Sequence, residues 1–186
     1  MTRMCKMVAI AASAGGVEAV RRIVAVLPFP CASSFFVVVH TGKHPSDLPA
    51  ILNAVSKLPA SHGRDGTLIE SGHIYVAPPD HHMLVHAGGL WLNQSPNVHY
   101  THPAADPLFR SVAEAYGDKA VGVVLSGMGD DGASGLRSIK ERGGLAIVED
   151  PAEAPYPAMP EVALAAVKPD LCLSLQGIGE YLAALC

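Results

Sequence analysis

The stretch Val121-Gly122-Val123-Val124-Leu125-Ser126-Gly127-Met128-Gly129-Asp130-Asp131-Gly132-Ala133-Ser134-Gly135 decides the fold. Its first five residues are too apolar to face water on either side, which predicts a strand in the interior of a sheet. The glycines that follow permit a turn carrying two carboxylates, Asp130 and Asp131, close to the first free N–H groups of a helix-like segment. Strand, loop, helix is the repeating unit of an α/β domain, and in such a domain sites form beyond the carboxyl ends of the strands. Taken alone, an Asp-Gly loop of this kind more often only caps its helix.

Working outward, the same unit recurs on both sides. Just upstream, Asp106 as N-cap and Pro107 at the first position open a helix with Leu108, Phe109, Val112, Ala113 and Tyr116 on its apolar face, stopped by Gly117. Further back, residues 7–12 form an apolar run, Ser13-Ala14-Gly15-Gly16 a turn, and Val17, Val20, Val24 and Leu27 one helical face that ends before Pro28 and Pro30. A second β-branched and aromatic run, 35–39, stops at His40, after which Ser46 can cap a helix carrying Leu48, Ile51, Leu52 and Val55. Residues 74–77 give another strand closed by Pro78-Pro79. Residues 83–86 and 90–93 flank the turn Ala87-Gly88-Gly89, which predicts an antiparallel hairpin added to an otherwise parallel sheet.

Downstream, a helix through Leu136 and Ile139 ends at Gly143-Gly144 and residues 145–148 make a strand. Residues 150–160 hold four prolines and read as a surface loop, and short helices over 162–167 and 178–185 bracket an apolar segment at 171–173. The whole predicts one α/β domain over residues 1–186: a doubly wound, mostly parallel open sheet with helices on both faces and one antiparallel hairpin.

Composition narrows the function class. With 49% apolar and 16% charged residues the chain is far from disorder, and a formal charge of −4 with no Lys/Arg block argues against a nucleic-acid partner. Arg3 and Lys6 ahead of an apolar run, with Ala12-Ser13-Ala14 behind it, imitate a signal peptide, but the run is too short for one and no stretch is long enough to span a bilayer. Four scattered cysteines, 5, 31, 172 and 186, suggest neither a zinc site nor a disulfide framework and fit a reducing cytoplasm.

The residues just past the strand ends are Ser13, His40, the Asp80-His81-His82 loop and the loop from Ser126 to Gly132. Ser13 sits in a Gly-backed strand-to-helix turn, where a hydroxyl can be exposed beside helix N–H groups; it would need a base such as His40, and Asp131 could orient that base. A Ser, His, Asp chain order is no objection, because such triads are defined by geometry and role. On spacing alone the commoner role of Ser13 is a helix N-cap, or part of a turn that holds a phosphate. The turn lacks G-x-G-x-x-G and a P-loop lysine. The other histidines, 44, 62, 73, 81, 82, 86, 99 and 102, show no helical ligand spacing, and the Asp-Asp-Gly loop fails the calcium-loop pattern, so no metal is expected.

Ala12-Ser13-Ala14-Gly15-Gly16, Val39-His40, Tyr75-Val76-Ala77-Pro78 with His81-His82-Met83, His102-Pro103 with Asp106, Ser126-Gly127-Met128-Gly129-Asp130-Asp131-Gly132 and Met159-Pro160 together resemble the catalytic domain of the chemotaxis protein-glutamate methylesterase (CheB) family, in the family's order from about Val8 to the C-terminus. The resemblance implies a cytoplasmic serine esterase that hydrolyses glutamyl methyl esters on the cytoplasmic helices of methyl-accepting chemoreceptors and also deamidates receptor glutamines, without a cofactor or metal. It implies Ser13 as nucleophile, His40 as base and Asp131 as orienting carboxylate, with the peptide N–H groups of Ala14 and Met128 as oxyanion donors. Two features depart from the family's pattern. Ala14 stands where many relatives have Thr, and no receiver domain is expected ahead of the catalytic segment, so phosphorylation within this chain is not expected to control it. The alternatives are a non-catalytic or phosphate-binding module, and the same esterase or deamidase machinery turned on another protein substrate.

Overall fold

A computed structural model describes residues 5–40, 46–86, 88–96, 98 and 101–186. Among these, strands β1 (Met7–Ala12), β2 (Ser34–Val39), β3 (Ala60–His62), β4 (Ile74–Val76), β7 (Ala120–Val124), β8 (Leu145–Glu149) and β9 (Leu171–Leu173) form one seven-stranded sheet in the order β3-β4-β2-β1-β7-β8-β9. Every pairing in it is parallel. The continuous apolar runs at β1, β2 and β7 are the three central strands, all buried on both faces, as their composition requires.

Alternate residues of these strands feed two cores. Val8, Ile10, Phe35, Val37, Val121 and Val123 pack with helices α1 (Gly16–Val26), α2 (Leu48–Asn53) and α6 (Leu175–Ala184). Ala9, Ala11, Phe36, Val38 and Val124 pack with α3 (Ala105–Tyr116), α4 (Ala133–Glu141) and α5 (Ala158–Ala166). Helices α3 and α4 meet at Gly135, where a Cβ would lie 2.5 Å from Phe109 Cβ; any larger residue would push the two helices apart.

The chain moves from β1 to β2 on one side and reaches β7 on the other, so the strand order reverses at β1. The carboxyl ends of β1 and β7 therefore border the crevice in which an open parallel sheet places its ligand.

Several expectations need correction. The hairpin β5 (His82–His86) with β6 (Gly89–Asn93) does not join the main sheet; it is a separate two-stranded sheet packed on α3, because Met83, Val85 and Leu90 supply an apolar face that covers a helix. Strand β3 at the sheet edge was not anticipated, three residues being too few for a periodicity signal. Helix α5 starts at Ala158, so the proline-rich loop is shorter than residues 150–160, and α6 starts at Leu175, capped by Ser174 Oγ accepting the Gly177 N–H at 3.1 Å.

A disulfide joins Cys31 to Cys186, against the reading of the cysteines as unpaired. The two are 155 residues apart, so no local spacing announces them, and their Cα atoms come within 4.3 Å where the end of α6 meets the turn before β2. Arg3, His44, Ala87 and His99, invoked above, lie outside the described residues.

Candidate active site

The backbone ladder continues one residue past the strands and fixes the site's framework. The His40 N–H donates to Ala12 O at 3.1 Å, Leu125 N–H to Ala11 O at 2.9 Å, and Ser13 N–H to Ser126 O at 3.1 Å. Ser13, His40 and the 126–132 loop thus leave adjacent strands at one sheet edge.

His40 Nε2 lies 2.7 Å from Asp131 Oδ2, with side chains 10% and 2% exposed. The same carboxylate accepts the Ala105 N–H at 2.5 Å on Oδ2 and the Asp106 N–H at 2.9 Å on Oδ1. Burial alone would raise the Asp131 carboxyl, but the hydrogen bonds from His40 and from the two α3 N–H groups outweigh it and hold the group below the usual carboxylate range. An ionised carboxylate only accepts, so His40 donates from Nε2, and in the neutral imidazole this tautomer leaves the lone pair on Nδ1.

Asp131 was expected near the N-terminus of its own helix, α4. It caps α3 instead, because the fold lays the α3 N-terminus across the loop. The exchange is reciprocal: Asp106, expected as the N-cap of α3, sits in its buried first turn, and its Oδ1 accepts the N–H of Gly135, the third residue of α4, at 2.6 Å. Each helix start is closed by a carboxylate from the other's side, a bond type worth about 1 kcal/mol each at an ordinary N-cap.

Ser13 does not cap α1: the position before that helix is Gly15, with no side-chain cap. Among the described residues the Ser13 hydroxyl has no hydrogen-bond partner, so the structure brings His40 and Asp131 together and leaves Ser13 on the same edge without a bond to His40. Hydrogen bonds to a nucleophile are often long without substrate and tighten in its complex. The N–H groups of Ala14 and Met128 likewise have no acceptor among the described residues and are free to donate. Met128 is 59% exposed.

Beneath Ser13 lies a network the sequence reading did not find. Buried Ser126 donates its N–H to Glu149 Oε2 at 2.7 Å and its hydroxyl to Ala14 O at 3.1 Å, and Oγ accepts the Tyr156 N–H at 3.0 Å. Burial pushes the Glu149 carboxyl up, partly offset by the Ser126 N–H and by Arg22. Gly127 has no room for a side chain: a Cβ would strike Met159 Sδ and lie 2.7 Å from Ser13 Cβ. Gly127→Ala is expected to destabilise the protein by about 1–3 kcal/mol and to displace the Ser13 turn, so that denaturant midpoint and Ser13 reactivity fall together. Wild-type values for both would overturn this account of the packing.

The histidine-rich loops, left without a role in the sequence, contribute His82. It is buried, its Nδ1 accepts the Ala104 N–H at 3.1 Å, and its Nε2 lies 3.3 Å from Pro96 O. An Nδ1 that accepts belongs to a neutral imidazole, and burial pushes the His82 pKa down against the opposing pull of the Pro96 carbonyl, with the His102 ring 4.2 Å away adding to the depression. His82 and Asp131 together take the N–H groups of three successive residues at the start of α3. No cluster of three or more potential metal ligands occurs among the described residues.

Comparison with known proteins bears on this edge. The family model described as CheB methylesterase matches residues 8–182. The chain is 40% identical to protein-glutamate methylesterase/protein-glutamine glutaminase 3 of Anaeromyxobacter dehalogenans, over 96% of this chain and 53% of that protein. It is 36% identical to a Leptospira interrogans protein whose name assigns it the same two activities provisionally, over 93% of this chain and 91% of that one. It thus spans about half of the first relative and nearly all of the second. The crystal structure of the Thermotoga maritima CheB methylesterase catalytic domain superposes with a TM-score of 0.92 at 30% identity, covering 98% of this chain and 100% of that one.

Proposed function

Because the chain belongs to the CheB methylesterase family, we propose that it hydrolyses glutamyl methyl esters on the cytoplasmic helices of methyl-accepting chemoreceptors, releasing methanol. Ser13 Oγ attacks the ester carbonyl while His40 Nδ1 takes its proton. Asp131, an ionised carboxylate facing His40 Nε2, stabilises the imidazolium that forms. The oxyanion is received by the N–H groups of Ala14 and Met128, where one lost donor typically costs on the order of 100-fold or more in rate. Collapse expels methanol, protonated by His40, and leaves a glutamyl ester on Ser13. Water, deprotonated by the same imidazole, then frees the glutamate. The path is unchanged if the leaving group is ammonia, which accommodates the glutaminase named for the relatives.

The observation that carries this reading is the buried His40–Asp131 pair at 2.7 Å on the strand edge that Ser13 shares. It supports acid–base chemistry over a phosphate-binding turn, which has no use for an oriented imidazole. A cytoplasmic location goes with this substrate. Both cysteines of the disulfide are buried, 7% and 1% exposed, which limits attack by cellular thiols; among the described residues no helix is long and apolar enough to cross a membrane.

The direct test is methanol release from receptor membranes carrying methylated glutamates, with ammonia release from the glutamine form run in parallel. Both are expected from the wild-type protein. Methanol release no faster than from membranes alone would overturn the reading.

A further inference from the structure

Glu149 is a buried carboxyl near the site that the esterase chemistry leaves without a role. It ends β8 at the sheet's carboxyl edge, is 1% exposed, and lines a cavity of about 250 Å³ behind the Ser13 turn with Arg22, Glu153 and Gly15. A carboxylate in such a place is unfavourable unless its bonds accomplish something that an apolar residue could not. Its hydrogen bond goes to the Ser126 N–H, and Ser126 is the hub of the nucleophile turn. Ser126 O holds the Ser13 N–H, its Oγ holds Ala14 O, and the same Oγ holds the Tyr156 N–H. The Tyr156 ring lies over Gly15, 3.3 Å from where a Cβ of that residue would be. Each residue of the turn 13–15 is thus tied to Ser126 or to the residue Ser126 anchors. Glu149 reaches none of the reacting groups itself.

We propose that Glu149 is a positioning residue for the esterase reaction: through Ser126 it sets where the Ser13 hydroxyl and the Ala14 peptide stand relative to the substrate carbonyl. The proposal rests on Ser13 being the nucleophile. A displacement of about 1 Å at a reacting group can cost up to about 100-fold in rate.

A small fluorophosphonate that labels active serines reads Ser13 reactivity without the receptor. Glu149→Ala is expected to slow labelling of Ser13 by about 10- to 100-fold at a temperature where circular dichroism shows the protein folded. Glu149→Gln, which keeps an oxygen for the Ser126 N–H, is expected to recover most of that rate. Asp170→Ala supplies a matched control, since Asp170 Oδ2 accepts the Ala146 N–H at 2.8 Å at the far end of the same strand; it is expected to lower the melting temperature and leave labelling unchanged. Wild-type labelling in Glu149→Ala, or a Gln variant as slow as the Ala variant, overturns the proposal. Should Glu149→Ala fail to fold, Ser126→Ala, which removes the ties to Ala14 and Tyr156, must label slowly, and wild-type labelling there overturns it equally. A wild-type protein that labels elsewhere but not at Ser13 overturns the nucleophile assignment and this role with it.

Discussion

Ser13→Ala is expected to lower methanol release from methylated receptor on the order of 10⁵-fold while leaving the protein as stable as the wild type. The rate estimate follows from serine hydrolases in which loss of the nucleophile removes nearly all the advantage of the assembled catalytic group and leaves only what binding and the oxyanion donors supply. The stability estimate follows from this structure: the Ser13 hydroxyl has no hydrogen-bond partner among the described residues, and the bonds that hold its turn use the Ser13 N–H and O and the Ala14 O, all of which survive the substitution. A change within about 0.5 kcal/mol is expected by urea denaturation. The His40–Asp131 pair does not depend on Ser13 either. The combination separates chemistry from folding. Methanol release by the alanine variant at a rate near wild type would dismiss Ser13 as nucleophile, whatever the sheet edge looks like.

That Ser13, His40 and the loop beginning at Ser126 can be picked out from sequence as strand-end positions has a physical reason. Central parallel strands are buried on both faces, so β1 and β7 are apolar throughout and β2 is apolar from Phe35 on, and the first polar residue after each run, Ser13, His40 and Ser126, marks a strand end. Pairing of neighbouring strands then puts those ends side by side. What was not legible depends on contacts between segments far apart in the chain. Asp131 lies next to α4 in sequence, and only the packing of α3 against α4 sends its carboxylate to Ala105 and Asp106. Glu149 follows the predicted strand 145–148 with nothing local to mark it, and only the parallel pairing of β8 with β7 brings its carboxyl to the Ser126 N–H. The Gly-Gly turn between residues 83–86 and 90–93 reveals a hairpin but carries no information about which surface its apolar face covers. Cys31 and Cys186 meet only because the last helix returns to the start of β2.

Asp131→Asn separates the two duties of that carboxylate. Asp131 Oδ2 receives donors from His40 and Ala105, and Oδ1 receives one from Asp106, so both oxygens are acceptors of N–H groups. An amide has one acceptor and one donor end. With its nitrogen at the Oδ2 place it confronts the Ala105 N–H and donates to His40 Nε2, which drives the proton to Nδ1 and removes the base. With its nitrogen at the Oδ1 place it confronts the Asp106 N–H and leaves the tautomer intact, but no negative charge remains to balance the imidazolium. Either way methanol release is expected to fall about 10³- to 10⁴-fold, and one buried N–H at the start of α3 is left facing a donor, a loss of about 1–3 kcal/mol. The stability loss also has a pH signature. Asp131 has a folded-state pKa below its unfolded value, so its charge contributes stability that is complete above the unfolded carboxylate pKa, about 3.9, and is lost as pH falls through the lower folded-state value. The stability gap between wild type and Asp131→Asn, measured by urea titration, should be constant from pH 7 down to about pH 5 and narrow below about pH 4. A gap unchanged at pH 3 would mean that the carboxylate's charge is not what holds the start of α3, and full esterase activity in the amide variant would mean that it is not what His40 works against.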